Sequence, residues 1–406
     1  METFWEYRFA QRTQRMESSA IRELLKLTAQ PDIISFAGGL PSPDVFPIEK
    51  FRIACDKVLV EQGRQALQYS VSEGYKPLRE LIISQAQASG LSVGIENLLI
   101  TTGSQQALDL LGKIFINPGD RILVENPTYL GALQAWNAYA AEYISVPMDN
   151  DGMITDALVD TMRSGIKFIY ALPSFQNPSG VTMSLERRKK LVEIADHYGV
   201  PIVEDDPYSR LRYEGEHILP IIQLDSQFRN SGSGPYKGNV IYTSTFSKIL
   251  SPGLRLAWVI APPEVIYRMV QAKQGTDLHT STFCQMVAYE IAADGFLDEH
   301  IRTIIEVYGE RRNIMLGALD SYFPPEVEWT NPQGGLFVWG TLPEHVSAVD
   351  VLEAAVVEKV AFVPGHSFFH SGKGHNTLRI NFSNATPEMI QIGISRLGKV
   401  ITKLME

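Results

Sequence analysis

The residues most able to do chemistry lie in the segment from Ile241 to Trp258, with Lys248 at its centre. Serines and threonines fill positions 243, 244, 245 and 247, and a Pro-Gly pair precedes Arg255. Lysine forms Schiff bases with carbonyl groups when burial or a nearby cation lowers its pKa, and arginine binds a phosphate through two hydrogen bonds. The pattern predicts strand, exposed turn and strand. It indicates either a carbonyl-binding lysine beside an anion site or a surface lysine in a Ser-rich turn.

Two further polar segments follow apolar runs. Gly103-Ser-Gln-Gln-Ala opens a helical pattern, so Ser104 and Gln105 lie at a helix N-terminus, where free N–H groups bind anions. Ser104 could equally be a plain N-cap. Tyr129 ends Glu125-Asn-Pro-Thr-Tyr and could either stack on a flat ligand or pack in the core.

The next two runs are followed by an amide and by a cluster of acids. Asn177 precedes Pro-Ser-Gly, which is also an ordinary turn sequence. In Val203-Glu-Asp-Asp-Pro-Tyr, a carboxylate at the end of an apolar strand is costly unless it meets a cation. Asp205 could keep a pyridine nitrogen protonated, and Tyr208 could bind a phenolic oxygen, whereas Asp206 is expected to cap the next helix. Together these segments predict pyridoxal phosphate as cofactor.

The elements that position these residues form an α/β pattern. From about residue 98 to 315, short apolar runs alternate with helical segments. Seven runs begin at Leu98, Arg121, Glu142, Lys167, Pro201, Val240 and Ala257. They predict a mostly parallel seven-stranded sheet covered by helices on both faces. Ligands on such sheets bind beyond the carboxyl ends of the strands, where each segment described above is expected.

The chain is long enough for more than one domain. A helical segment over roughly 284 to 320 leads to Phe323-Pro-Pro, a predicted boundary. We expect an N-terminal arm with part of the small domain over 1–45, a large cofactor-binding domain over 46–320 and a small C-terminal α+β domain over 321–406.

The composition excludes several classes of protein. Of 406 residues, 45% are hydrophobic and the net charge is −10, which argues against general binding to nucleic acid or membrane surfaces. No apolar run is long enough to span a membrane, and the N-terminus does not resemble a secretory signal. Two cysteines and the spacing of the eight histidines give no metal site. We expect a cytoplasmic enzyme without a metal.

The order and spacing of the motifs resemble the class I/II, fold-type-I pyridoxal-phosphate aminotransferases, most closely the subgroup of 2-aminoadipate and kynurenine aminotransferases. The resemblance covers nearly the whole chain. It is carried by Ser18-Ser-Ala-Ile-Arg-Glu-Leu-Leu, Phe36-Ala-Gly-Gly-Leu-Pro, Gly103-Ser-Gln-Gln-Ala, Asn177-Pro-Ser-Gly, Glu204-Asp-Asp-Pro-Tyr, Ser244-Thr-Phe-Ser-Lys and Leu378-Arg-Ile-Asn-Phe.

This resemblance implies a role for each matching residue around the cofactor. Lys248 would form the Schiff base and later move a proton between the substrate Cα and the cofactor. Asp205 would pair with the ring nitrogen, Tyr208 and Asn177 would bind the ring hydroxyl, and Tyr129 would stack on the ring. The phosphate would be held by Ser104, Gln105, Thr245, Ser247, Arg255 and, from the neighbouring subunit, Tyr69.

The resemblance also implies a substrate site shared between the subunits of a homodimer. Arg379 would clamp the substrate α-carboxylate, with Gly39 and Asn177 close to it. Arg22, in the Ile-Arg-Glu-Leu-Leu helix, could reach a distal carboxylate or could simply be a solvated helix arginine paired with a nearby Glu.

The activity implied is transfer of the amino group of an L-amino acid (2-aminoadipate, glutamate, aromatic or branched-chain) to 2-oxoglutarate by a ping-pong mechanism. The same cofactor also supports β-lyase or decarboxylase chemistry. A third hypothesis is the cofactor-binding module of a transcription regulator. We expect it less, because about 17 residues before the Ser18 motif are too few for a DNA-binding domain.

Overall fold

The computed structural model describes residues 4–16, 32–229, 234–370 and 372–406. Arg22 and the motif that begins at Ser18 lie outside these residues. The strands are β1 (Ile34–Ser35), β2 (Leu98–Thr101), β3 (Arg121–Asn126), β4 (Glu142–Asp149), β5 (Gly152–Met153), β6 (Ile166–Ala171), β7 (Ile202–Asp205), β8 (Val240–Thr245), β9 (Ala257–Ile260), β10 (Glu328–Trp329), β11 (Phe337–Thr341), β12 (Val360–Ala361), β13 (Val363–Pro364) and β14 (Thr377–Asn381).

Helices alternate with these strands along the chain. The α-helices described are α1 (Ile48–Ala66), α2 (Lys76–Ala88), α3 (Ser104–Phe115), α4 (Leu130–Asn137), α5 (Leu158–Met162), α6 (Leu185–Tyr198), α7 (Ile221–Phe228), α8 (Pro263–Gln274), α9 (Thr282–Ala292), α10 (Phe296–Tyr322), α11 (Ala348–Val357) and α12 (Pro387–Met405).

The large sheet has the strand order β2-β9-β8-β7-β6-β3-β4-β5. Pairing is parallel from β8 through β7, β6 and β3 to β4, whereas β9 runs antiparallel to both β2 and β8. The predicted mostly parallel sheet is confirmed, with all seven predicted strands present. The short strand β5 adds an antiparallel edge that the sequence pattern did not indicate.

Two apolar layers cover the two faces of this sheet, because side chains alternate along each strand. Tyr170 and Val203 face one layer, which includes Leu108 of α3, Trp136 of α4 and Met269 of α8. Their strand neighbours face the other layer, which α2, α6, α7 and α9 supply through Ile82, Leu191, Ile221 and Met286. Burial on both faces explains why the strands are continuous apolar runs.

A smaller antiparallel sheet follows in the order β10-β11-β14-β13, and β1 pairs in parallel with β12. The long helical segment predicted before it is two helices, α9 and α10. They separate at Gly295, which adopts φ 81°, a conformation that favours glycine. The boundaries at residues 45 and 320 remain a prediction.

The turn after β8 differs from the prediction. It was expected to be exposed, but Phe246, Ile249 and Leu250 are buried in it. These apolar side chains pack into the core, so the backbone on both sides of Lys248 is anchored.

Gly180 in the Asn-Pro-Ser-Gly loop links the two sheets closely. Its φ is 71°, and a Cβ there would lie 2.5 Å from the backbone oxygen of Phe337 in β11. Gly199 at the end of α6 has a similar φ of 65°, but a Cβ there would meet nothing within 4 Å. The two glycines therefore have similar φ values and differ in the space around them.

We predict that Gly180→Ala destabilises the protein much more than Gly199→Ala. Both alanines carry the strain of a left-handed conformation, about 1–2 kcal/mol, and Gly180→Ala adds an overpacking cost of about 1–3 kcal/mol. Urea unfolding of the two variants beside the parent protein measures the difference. Equal losses would show that β11 does not constrain this loop.

Candidate active site

Lys248 lies just beyond the carboxyl end of β8. Its Nζ donates a hydrogen bond of 2.7 Å to the carbonyl oxygen of Gly39, which joins the turn to the loop after β1. Burial lowers the pKa of Lys248 to about 8, and the neighbouring cations Arg379 and Arg255 act in the same sense. A larger fraction of the amine is therefore neutral, and hence nucleophilic, near neutral pH.

Asp205 ends strand β7 and is 2% exposed. Its Oδ2 accepts a 2.8 Å hydrogen bond from the hydroxyl of Tyr170, whereas its buried Oδ1 has no partner among the described residues. Burial raises the pKa of Asp205 to about 7, and the bond from Tyr170 opposes this rise. Oδ1 can therefore accept a hydrogen bond from a ligand.

Asp206 points to other partners. Its Oδ1 accepts from the N–H of Ser209 at 3.0 Å and its Oδ2 from the hydroxyl of Tyr242 at 3.0 Å. It therefore caps a turn, and the prediction that it caps a helix is wrong, because no helix begins there.

Arg379 in β14 is 1% exposed. Its Nη1 donates to Asn177 Oδ1 at 2.8 Å and its Nη2 to the carbonyl of Ala37 at 2.7 Å. The guanidinium carbon lies 4.3 Å from the ring centre of Phe337 and 5.0 Å from that of Phe368. Burial lowers the pKa of Arg379 to about 10, so the side chain stays charged at neutral pH and can bind an anion.

Two tyrosines lie beside this arginine. Tyr208 is buried, its ring meets Phe337 edge-on at 6.1 Å, and burial raises its pKa while a hydrogen bond from Asn177 opposes the rise. Tyr129 lies close enough to both Tyr208 and Arg379 to contribute to their pKa shifts. Tyr129 immediately precedes α4, and its ring lies over Gly131, where a Cβ would come within 2.5 Å of it.

The N-terminus of α3 lies against Arg255. A Cβ on Gly103 would collide with Nη2 of Arg255, and Gly103 has φ 78°, so glycine is needed there for both space and conformation. The Oγ of Ser104 is buried without a partner among the described residues. Gln105 donates its side-chain amide to the carbonyl of Gly131 at 2.8 Å. Free helix N–H groups, a hydroxyl and a guanidinium thus converge there.

Thr245 and Ser247 brace the turn that carries Lys248. The Thr245 hydroxyl accepts from the N–H of Ser247 at 3.0 Å and donates to the carbonyl of Leu256 at 3.0 Å. The Ser247 hydroxyl lies 3.0 Å from that of Thr245.

Two of the predicted site residues are not among these contacts. Tyr69 is 79% exposed, and its ring meets that of His279 edge-on at 6.0 Å. Arg22 lies outside the described residues. The other predicted residues lie at the carboxyl ends of the large-sheet strands or in the loops and strands next to them.

Sequence reasoning missed Tyr170, Phe337 and Phe368, whose side chains contact Asp205 or Arg379. Tyr170 lies within an apolar strand run, where a buried hydroxyl needs a partner, so its type was a usable signal. The rings of Phe337 and Phe368 gave no such signal, because phenylalanine in a strand or loop usually indicates only core packing.

No helix in the described part of the chain is long and apolar enough to cross a membrane. The same residues contain no group of three or more His, Cys, Asp or Glu side chains placed to hold a metal ion.

Comparison with known proteins gives matches over nearly the whole chain. The family model described as aminotransferase class I and II matches residues 34–397. An aromatic-amino-acid aminotransferase from Thermococcus litoralis is 45% identical over 410 residues, covering 99% of this chain and 96% of that protein. A 2-aminoadipate transaminase from Thermus thermophilus is 45% identical over 402 residues, covering 99% and 98%.

A solved structure matches equally broadly. The α-aminoadipate aminotransferase from Thermus thermophilus, complexed with N-(5'-phosphopyridoxyl)-L-leucine, gives a TM-score of 0.91 at 42% identity, and the match covers 99% of each chain.

We predict that Lys248 captures added pyridoxal phosphate covalently at a rate that rises with pH and has a midpoint near 8, its pKa in the cofactor-free protein. Arg379→Met should move this midpoint upward, because removing a cation stabilises the ammonium form. Stopped-flow visible absorbance from about pH 6 to pH 10 measures both. The surface variant Arg163→Met is the control, and an unmoved midpoint in Arg379→Met would contradict the assignment.

Proposed function

The chain belongs to the class I and class II aminotransferases, and from this premise we propose that it transfers the amino group of an L-amino acid to 2-oxoglutarate by a ping-pong mechanism. It is a pyridoxal-phosphate-dependent aminotransferase. The proposal rests on the hydrogen bonds that fix two basic side chains. Lys248 donates to Gly39, and Arg379 donates to Ala37 and Asn177. This arrangement puts an amine of lowered pKa near a buried cation that can hold a carboxylate.

The residues present fit pyridoxal phosphate. The buried polar atoms that lack partners among the described residues include Oγ of Ser104 and Oδ1 of Asp205. They suit a phosphate at the α3 N-terminus and a protonated ring nitrogen at the end of β7. We propose that Gln105, Thr245, Ser247 and Arg255 complete the phosphate site, with Tyr129 stacked on the ring.

When bound, the cofactor supplies an aldehyde carbon that condenses with amines and a ring that withdraws electrons from the substrate Cα. Asp205 provides the negative charge that keeps the ring nitrogen protonated, and Tyr208 with Asn177 binds the ring hydroxyl. Lys248 would hold the aldehyde before the substrate arrives. Once displaced by the substrate amine, its neutral amine would take the proton from the substrate Cα and deliver it to the carbon that had been the aldehyde of the cofactor.

Arg379 orients the substrate. Its guanidinium is fixed by Asn177, by Ala37 and by two aromatic faces, so it needs little reorganisation to bind the α-carboxylate through two hydrogen bonds. Binding there would bring the substrate close to Lys248 and to Gly39, which accepts the hydrogen bond from Lys248.

We also propose a homodimer with shared active sites. Tyr69 is exposed together with its apolar neighbours Leu67 and Val71, which is typical of a surface that a second subunit covers. Tyr69 would then complete the phosphate site of the neighbouring subunit.

For the donor, we propose 2-aminoadipate, glutamate, aromatic and branched-chain amino acids. Two relatives at 45% identity are named as aminotransferases of aromatic amino acids and of 2-aminoadipate, which supports this range. Arg22 is proposed to bind the distal carboxylate of the dicarboxylic donors.

We predict that a productive donor bleaches the visible absorbance of the cofactor-loaded protein in a single turnover, and that 2-oxoglutarate restores it. Glutamate, 2-aminoadipate, leucine and phenylalanine are added separately, and their rates rank the donors. Lys248→Ala should lose both the covalent absorbance and turnover, because no other described residue takes its position. Release of carbon dioxide, ammonia or a thiol without restoration by 2-oxoglutarate would instead identify a decarboxylase or lyase.

We predict that Arg22→Ala weakens kcat/KM for 2-aminoadipate and glutamate by about 10- to 100-fold, the size of a lost charged hydrogen bond, with little change for leucine. Steady-state kinetics on the donors measure this selectivity. Arg163→Ala, which removes a surface arginine paired with Asp160, is the control. Equal losses on dicarboxylic and aliphatic donors would remove Arg22 from the substrate site.

A further inference from the structure

We propose that Tyr170 is a positioning residue for the cofactor: its hydroxyl holds one oxygen of Asp205 so that the other oxygen stays directed at the ring nitrogen. The inference rests on the proposed role of Asp205. It concerns a bond of 2.8 Å between two side chains that are both almost fully buried.

The register of the sheet produces this contact. Tyr170 of β6 pairs with Val203 of β7, and Asp205 lies two residues further along the same face. A diagonal neighbour at that spacing is within reach of an aromatic side chain. The phenol of Tyr170 therefore reaches the end of β7, where its hydroxyl donates to Oδ2 of Asp205.

The ring of Tyr170 is itself fixed. It meets Trp136 edge-on at 5.1 Å, and the Nε1–H of Trp136 donates to the carbonyl of Leu108 in α3 at 2.9 Å. Helix α3 begins at Ser104, in the proposed phosphate site. Trp136 and Tyr170 therefore connect the backbone of the helix that would hold the phosphate to the carboxylate that would hold the ring nitrogen.

The hydrogen bond from Tyr170 opposes the other influences on the pKa of Asp205. Burial is the largest cause that raises the pKa of Asp205, the hydrogen bond from Tyr170 lowers it, and the neighbouring Asp206 adds to the rise. Tyr208 and Tyr129 also lie near this region and interact with Asp205 and Tyr170, respectively. The pKa of Tyr170 is raised well above its usual value, mainly by burial, so the phenol remains a donor at alkaline pH.

A second tyrosine and carboxylate provide a matched comparison. Tyr242 donates to Asp206 at 3.0 Å, and the other oxygen of Asp206 is already bonded to the N–H of Ser209. Asp206 thus has both oxygens occupied, whereas Asp205 has one occupied and one open. Of these two pairs, the Tyr170 pair is the one that leaves an oxygen for a ligand.

The test compares Tyr170→Phe with Tyr242→Phe. We expect Tyr170→Phe to weaken the affinity for pyridoxal phosphate about tenfold or more, the equivalent of one hydrogen bond to a charged group. With ring-15N-labelled cofactor, the nitrogen chemical shift should report a smaller protonated fraction, because a carboxylate without its donor takes the proton back. Tyr242→Phe should leave the affinity for pyridoxal phosphate within about twofold of that of the parent protein, and the nitrogen chemical shift unchanged.

A double-variant cycle separates positioning from general packing. In an Asp205→Asn background, Tyr170→Phe should weaken cofactor binding less than about threefold, since no carboxylate charge remains to be held. An unchanged nitrogen shift in Tyr170→Phe, or an equal effect in both backgrounds, would overturn the inference. So would a Tyr170→Phe protein that fails to fold while Tyr242→Phe folds. If the parent protein forms no covalent absorbance with the cofactor, the proposed function fails as well.

Discussion

The structure depends on keeping ionisable side chains buried at the carboxyl edge of the large sheet. The pKa values of Lys248 and Arg379 are lowered and that of Asp205 is raised, so each shift favours the neutral form. In each case burial is the largest cause. A charge in such a place is unfavourable unless polar groups replace its lost water. The surrounding contacts supply part of that replacement, and a bound cofactor and substrate would supply the rest.

Arg379 illustrates how the charge is accommodated. Its donors reach a backbone carbonyl and an amide oxygen, and two phenylalanine faces cover the guanidinium. Aromatic faces attract a cation without neutralising it. The arginine is thereby held in position with its positive charge still available to an anionic substrate.

Asp205 is held by the opposite arrangement. One donor, Tyr170, occupies one oxygen, and the acid next to it raises its pKa. The site therefore combines an anion at the end of β7 with a cation from β14 of the small sheet, and an amine from the turn after β8 completes it. Any displacement of the small sheet relative to the large one would change the distance between these groups.

The sequence by itself determined the strands of the large sheet, the segments at their carboxyl ends and the family. Strands buried on both faces are short continuous apolar runs, and polar segments such as Asn177-Pro-Ser-Gly follow them where the strands end. Only the tertiary structure decided that the turn around Lys248 is buried, that Gly295 divides a long helical segment, and that Tyr170, Phe337 and Phe368 support the site. These outcomes depend on which distant side chains meet, and residue type and local spacing do not specify such contacts.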